Sequence, residues 1–111
     1  MLRRSFTAVL EKNSTFTSDF VTEPYEAGWA LEARWFVRVL ELSPGAGLTM
    51  TAQISPDGLF WCDEESGSFC LNEVGLASMP LRNFGQWLRL DARLSGKNPH
   101  VKVLIYLALK G

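Results

Sequence analysis

Hydrophobic and polar residues alternate with a period of two along much of the chain. In residues 28–42, apolar side chains such as Trp35 and Val37 occupy odd positions, whereas Glu32, Arg34 and Arg38 occupy even positions. A helix would scatter these charges around its circumference, whereas a strand places them on one solvent-facing side. The pattern therefore predicts a half-buried β-strand over these residues.

The same alternation recurs in residues 48–54, 86–94 and 101–109. In the last of these segments both faces are apolar, because Leu104 and Tyr106 lie opposite the regular valine and leucine positions. A strand that is apolar on both sides is typical of a position inside the molecule. We therefore expect the second face of this strand to be covered.

Weaker strand patterns fill the intervals between these segments. They cover residues 5–11, 16–21, 59–62 and 69–72, and turn-forming residues separate several of the strands at 43–47, 55–58 and 95–99. About eight short strands with little helical periodicity are typical of an all-β fold. We predict a single domain over residues 1–111, folded as an antiparallel β-sandwich of the jelly-roll kind.

Composition excludes several classes of protein. Eleven Lys and Arg residues against 12 Asp and Glu residues give a formal charge of −1, whereas nucleic-acid binding needs a surplus of positive charge. The longest apolar runs are well short of the ~20 residues of a membrane helix. We therefore expect neither nucleic acid nor a membrane among the partners.

The sequence contains few residues suited to catalysis or metal binding. His100 is the only histidine, and no Gly-x-Ser-x-Gly motif surrounds any serine. Two cysteines cannot supply a four-cysteine zinc site or an iron–sulfur cluster. Several carboxylates fall within residues 57–73 without the spacing of a calcium loop, and this pattern favours a solvated acidic rim. We predict no enzymatic activity, no cofactor and no metal.

The two cysteines allow two interpretations. If residues 59–62 and 69–72 form a hairpin centred near Ser66, Cys62 lies directly across from Cys70, at a distance that a disulfide can span. The alternative is a pair of reduced thiols, which is expected for a protein that folds in the cytoplasm.

Aromatic residues supply candidate contact positions. Trp87 falls on the opposite face from Leu88 and Leu90, so it shares the outer surface with Arg89 and Arg93. An exposed tryptophan beside arginine is typical of a protein–protein contact or of a platform for sugar rings. A tryptophan that caps the sandwich edge beneath a loop is the structural alternative. We add Tyr25, in a predicted loop, and Tyr106 to this candidate surface.

One segment resembles a known family. The residues Gln53, Ser55, Asp57, Gly58 and Trp61 match a Q-x-S-x-D-G-x-x-W hairpin that is similar to one in small β-sandwich proteins of tailed bacteriophages. A Gly-rich loop precedes the segment, and a Gly-x-x-Leu-Arg-Leu strand at residues 85–90 follows it. The similarity spans residues 28–109.

This resemblance implies a non-enzymatic virion protein, such as a capsid decoration (cement) protein or a head–tail accessory subunit. Its partners would be viral capsid or tail proteins, further copies of itself, or both, in a homo-oligomer or on a lattice. The protein would fold in the host cytoplasm and reside in the virion. A carbohydrate-binding module is the alternative function, whereas a cupin-like enzyme would need several histidines.

Overall fold

The computed structural model describes residues 4–111, apart from the side chain of Ser66, and contains nine β-strands in that range. Their bounds are β1 Ser5–Phe16, β2 Phe20–Val21, β3 Tyr25–Glu26, β4 Glu32–Leu42, β5 Gly47–Ser55, β6 Cys62–Leu71, β7 Gly75–Arg82, β8 Trp87–Ser95 and β9 Val101–Lys110. In this part of the chain, no helix is long and apolar enough to cross a membrane.

The strands form two antiparallel sheets. The first sheet has the order β1-β9-β4-β7, and the second has the order β2-β8-β5-β6, with β3 also paired to β8. Because β2 and β3 both pair with β8, they act as two pieces of one interrupted strand. With these pieces counted as one, each sheet has four strands and the chain crosses repeatedly between the sheets. This is the predicted jelly-roll sandwich.

The period-two alternation places one face of each main strand in the core. Trp35, Val37 and Val39 of β4 are fully buried, as are Leu88 and Leu90 of β8 on the opposite sheet. All five inward positions of β9 are also fully buried. Burial of one such side chain contributes roughly 1.5–3 kcal/mol, so this interior supplies most of the stability.

The predicted hairpin at the cysteines is wrong. Residues 62–71 form the single strand β6, with a register irregularity where it passes Thr51 and Gln53 of β5. The sequence 64–67 resembles a turn because it contains Ser66 and Gly67, yet the chain continues along β5. Residues 59–61 precede the strand as loop.

Strand β7 has no counterpart among the predicted strands. Its residues Met79 and Leu81 point inward and are buried, but Gly75 and Pro80 interrupt the sequence pattern. Proline is tolerated here because β7 lies at the edge of the first sheet and pairs only with β4.

The second face of β9 has no cover from the described part of its own chain, so its coverage by a partner stays a prediction. Within residues 4–111, no further layer lies over the outer side of the first sheet. Leu104 and Tyr106 are half-buried because β9 runs between β1 and β4, whose outward side chains flank them.

The sheet edges have distinctive sequences. Strand β6, at one edge of the second sheet, carries the exposed carboxylates Asp63 and Glu65. Strand β7 contains Pro80, and β1 has register irregularities around Glu11. Pro80 and the irregularities of β1 interrupt the row of backbone donors and acceptors at the edges of the first sheet. The carboxylates of β6 place charge beside such a row at the edge of the second sheet.

Candidate interaction surfaces

The polar face is the outer side of the second sheet. Arg89 and Arg93 both project from it, as predicted, and they lie in register with Gln53 and Thr49 of β5. Nε of Arg89 donates a 2.7 Å hydrogen bond to Oε1 of Gln53, and Nε2 of Gln53 donates a 2.9 Å bond to Asp63. Two further side-chain contacts between β5 and β6 continue this ladder, Thr51 with Ser68 at 2.7 Å and Thr49 with Cys70 at 3.4 Å.

Trp61 also lies at the centre of this face. The guanidinium carbon of Arg89 lies 4.4 Å from the Trp61 ring centroid. Arginine over an indole ring is held both by the ring quadrupole and by stacking. The alternation pattern does not predict this pair, because Trp61 lies in a loop whose direction the pattern does not define.

Trp87 is half-buried beneath the loop that follows β5. A Cβ atom built on Gly58 would lie 3.3 Å from the Trp87 ring, so the glycine backbone packs directly on the indole. This contact agrees with the interpretation of Trp87 as a cap at the sandwich edge. Less of its ring is available to a partner than the sequence suggested.

Tyr25 and Tyr106 lie away from the polar face. Tyr25 pairs with Leu88 and stacks on Phe6 of β1, with ring centroids 6.4 Å apart. Together with Trp29, whose ring lies 4.3 Å from the guanidinium carbon of Arg4, these residues line a shallow depression. Tyr106 lies on the outer side of the first sheet. The structure therefore distributes the five predicted contact residues over three surfaces.

The basic face is the outer side of the first sheet. Its centre is a row of adjacent strand positions formed by Val9, Tyr106 and Phe36. The cationic residues of this face surround that apolar row, and they are Arg34, Arg38, Arg82, Lys102 and Lys110. Arg34 donates a 2.9 Å hydrogen bond to the hydroxyl of Ser78 on β7.

A groove of about 300 Å³ opens in the basic face where β4 begins and β7 and β9 end. Its apolar lining includes Phe36, Pro80 and Ala108, and small side chains at the last two positions leave the space open. Arg34, Arg82 and Lys110 form its cationic rim, and Glu32 is the one acid among the described lining residues. The alternation pattern does not predict this groove, because the groove depends on which strands become neighbours.

The β5–β6 loop, residues 56–61, is held by two short side chains. Oγ of the buried Ser55 accepts bonds from the backbone N–H groups of Asp57 and Gly58. Oδ1 of Asp57 accepts bonds from the N–H groups of Leu59 and Phe60, and these bonds lower the pKa of its carboxyl from the ordinary value of 3.8. The loop thus has a defined shape.

At the tip of this loop, Leu59 and Phe60 are 77% and 78% exposed. Single exposed hydrophobic residues are common on protein surfaces, whereas two adjacent ones on an ordered loop make this tip a candidate contact site. They were predicted as strand residues, so the sequence analysis did not identify their exposure.

Of the two interpretations of the cysteines, the structure has the reduced pair: Cys62 and Cys70 are both free and exposed. They pair with Ile54 and Thr49 of β5, positions that lie roughly 16 Å apart along an extended strand. A disulfide requires Cα atoms within about 7 Å. Among the described residues, no group of three or more His, Cys, Asp or Glu side chains could hold a metal ion.

Comparisons with known proteins identify similar folds and no family. No protein-family model and no curated protein matches the chain. The PBSX exported protein XepA superposes with a TM-score of 0.69 and 10% identity over 94% of this chain, which spans 36% of that protein. The SPBc2 prophage-derived protein YomS superposes with a TM-score of 0.61 and 7% identity, covering 100% of this chain and 96% of YomS. At these identities the likeness concerns the fold.

Proposed function

We propose that this chain is a structural subunit of a bacteriophage particle, acting through protein–protein contacts and without catalysis of its own. The observation that carries the proposal is the end-to-end similarity of its jelly roll to the prophage-derived protein YomS. The PBSX exported protein XepA contains a similar sandwich within a longer chain. A capsid decoration protein or a head–tail accessory subunit is the specific role that we favour.

The surfaces of the sandwich suit this role. A rigid two-sheet scaffold offers a polar face with arginines and a basic face with an apolar centre. A structural subunit needs such surfaces at fixed angles, because each of many identical copies repeats the same contact with its neighbours. Folding in the host cytoplasm before entry into the virion is compatible with two free thiols.

Contact with the particle is assigned first to Trp87, Arg89 and Arg93 on the polar face. Tyr25 and Tyr106 belong to other surfaces and would meet different neighbours. Arginine and tryptophan are enriched among the residues that dominate the binding energy of interfaces. The polar face is therefore the part of the molecule to test.

The experiment measures association with particles. Phage particles are banded on a density gradient, and the chain is quantified in the particle fraction with an antibody. We expect the wild-type chain to co-band in a constant ratio to the major capsid protein. Its absence from purified particles would overturn the proposal.

Two variants locate the contact. Trp87→Ala combined with Arg89→Ala should remove the chain from the particle band, whereas Lys97→Ala, in an exposed loop, should leave it bound. Normal binding by the double variant would show that the polar face is the wrong surface. Thermal unfolding of each variant separates loss of contact from loss of fold.

Carbohydrate binding, the alternative from the sequence, finds less support in this geometry. A sugar platform needs an open aromatic face. Gly58 packs on Trp87, and Arg89 lies over Trp61, so each indole has an occupied face.

A further inference from the structure

Charge is divided unevenly along the chain. Between Val39 and Leu81 there are six of the 12 acidic residues and none of the 11 basic residues. This stretch forms the end of β4, all of β5 and β6, the loops at their ends and most of β7. The rest of the chain has a corresponding positive excess, which includes the cations of the basic face. The β5–β6 loop therefore belongs to a stretch with only acidic charges, whereas the five cations of the basic face all lie outside that stretch.

The groove on the basic face is suited to an acidic segment with an apolar tip. Its lining combines the apolar side chains of Phe36 and Pro80 with a rim of Arg34, Arg82 and Lys110. Arg82 and Lys110 form no ion pair or side-chain hydrogen bond within residues 4–111. Such cations remain available to a carboxylate that approaches from outside.

The β5–β6 loop has the complementary chemistry. Phe60 and Leu59 project from it, and Asp57 and Asp63 stand on either side of them in the sequence. The hydrogen bonds to Asp57 all use Oδ1, so Oδ2 is free to accept from a guanidinium or ammonium group. Because the loop is already ordered by Ser55 and Asp57, docking would cost little conformational entropy.

We propose that the β5–β6 loop of one copy docks into the groove on the basic face of a second copy. Phe60 would lie on the apolar lining, and Asp57 would face the cationic rim. Loop and groove are different surfaces of one molecule, so the contact is head-to-tail, and each copy can engage two neighbours. This inference deepens the proposed structural role by naming a self-contact, but it concerns the purified chain alone.

Sedimentation velocity over a concentration series tests the contact. We expect the weight-average mass of the wild type to rise between about 10 μM and about 1 mM, the range in which weak contacts become populated. Added salt should reduce the rise, because 1 M salt shortens the Debye length to about 3 Å. A mass that stays at that of one chain throughout the series overturns the proposal.

Matched variants assign the surfaces. Phe60→Ser should weaken association at least about tenfold, whereas Val74→Ser, another exposed apolar residue, should not change it. Arg82→Glu on the groove rim should weaken it similarly, whereas Arg38→Glu, on the same face but outside the groove, should have a much smaller effect. If the test and control variants changed self-association equally, the loop and the groove would not be the contacting surfaces.

A mixture of the two test variants shows whether the loop of one chain binds the groove of the other. The Phe60→Ser chain retains its groove, and the Arg82→Glu chain retains its loop, so an equimolar mixture should form one-to-one complexes that neither variant forms alone. Absence of this complex, while the wild type associates, shows that another surface mediates self-association. The particle-binding experiment is independent: a monomeric chain that co-bands with particles defeats this inference and leaves the proposed function standing.

Discussion

The guanidinium carbon of Arg89 lies 4.4 Å from the centroid of the Trp61 ring, on the outer side of the second sheet. The same side chain donates a hydrogen bond to Gln53, which in turn donates to Asp63. Arg89 therefore joins β8 through β5 to the beginning of β6 and to the loop before it. A single side chain couples three parts of the polar face.

Replacement of Arg89 should measure this coupling. Arg89→Met should reduce the free energy of unfolding by about 1 kcal/mol, because it removes a partly exposed cation–π contact and a charged hydrogen bond. Arg93→Met is the control, since its side chain is 67% exposed and pairs with Asp91 at 3.1 Å. It should change stability by less than about 0.5 kcal/mol. Equal losses in urea unfolding would show that the Trp61 contact contributes nothing.

Gly58 and Gly45 provide a matched pair at positive φ. Their φ angles are +80° and +76°, but only at Gly58 would an added Cβ meet another residue, the Trp87 ring at 3.3 Å. Gly45→Ala should cost about 1 kcal/mol from backbone strain alone. Gly58→Ala should cost more and should alter tryptophan fluorescence, which Gly45→Ala should not. If Gly58→Ala and Gly45→Ala lost the same unfolding free energy and had the same tryptophan fluorescence, the loop would not rest on Trp87.

Asp57 should make stability depend on pH. Hydrogen bonds from Leu59 and Phe60 lower the pKa of its carboxyl below 3.8 in the folded protein. Its contribution is therefore complete above the unfolded pKa and is lost as the pH falls through the lower folded value. The stability difference between the wild type and Asp57→Ala should be constant near neutral pH and should shrink below about pH 4. A difference that is unchanged at pH 2 would contradict this role.

Trp35 combines complete burial with an unused donor. It is 0% exposed, and its Nε1 has no hydrogen-bond partner among the described residues. Trp35→Ala should cost about 3–5 kcal/mol because of the cavity. Trp35→Phe should cost much less, under about 2 kcal/mol, since it removes an unsatisfied buried N–H while keeping most of the apolar surface. If denaturant unfolding gave similar losses of free energy for Trp35→Ala and Trp35→Phe, Nε1 would have a hydrogen-bond partner in solution.

Both thiols should react in the folded protein. Cys62 and Cys70 are exposed and stand at opposite ends of β6. A thiol reagent should therefore modify two cysteines per chain without denaturant, and a reductant should leave the melting temperature unchanged. A melting temperature that falls on reduction would reveal a disulfide.

The sequence predicted the architecture because alternation directly reflects a two-layer sandwich. Strands β4, β5, β8 and β9 each bury every second residue, so their patterns are clear. At β7, Pro80 and Gly75 obscured a shorter alternation. At β6, the sequence allowed a hairpin centred near Ser66, but the chain accommodates the irregularity within one strand, where Gly67 has a φ of +92°.

The contact surfaces were less predictable, because they depend on which strands become neighbours. Alternation placed Arg89 and Arg93 on one outer face, and this placement is confirmed by their register. It could not show that Tyr106 would lie beside Phe36 and Val9, residues far away in the chain. Nor could it show that Phe60 would project from a loop, since strand and loop residues look alike in a short apolar segment.

The edge strands have a consequence for any assembly of many copies. Pro80 removes a backbone donor from β7, and like charges at Asp63 and Glu65 would oppose each other if two β6 strands met. Main-chain ladders between neighbouring molecules, the route to fibrous aggregates, are thereby disfavoured. Crowded copies of this protein would then recognise one another by side chains, whose shape and charge can discriminate between a correct neighbour and an incorrect one.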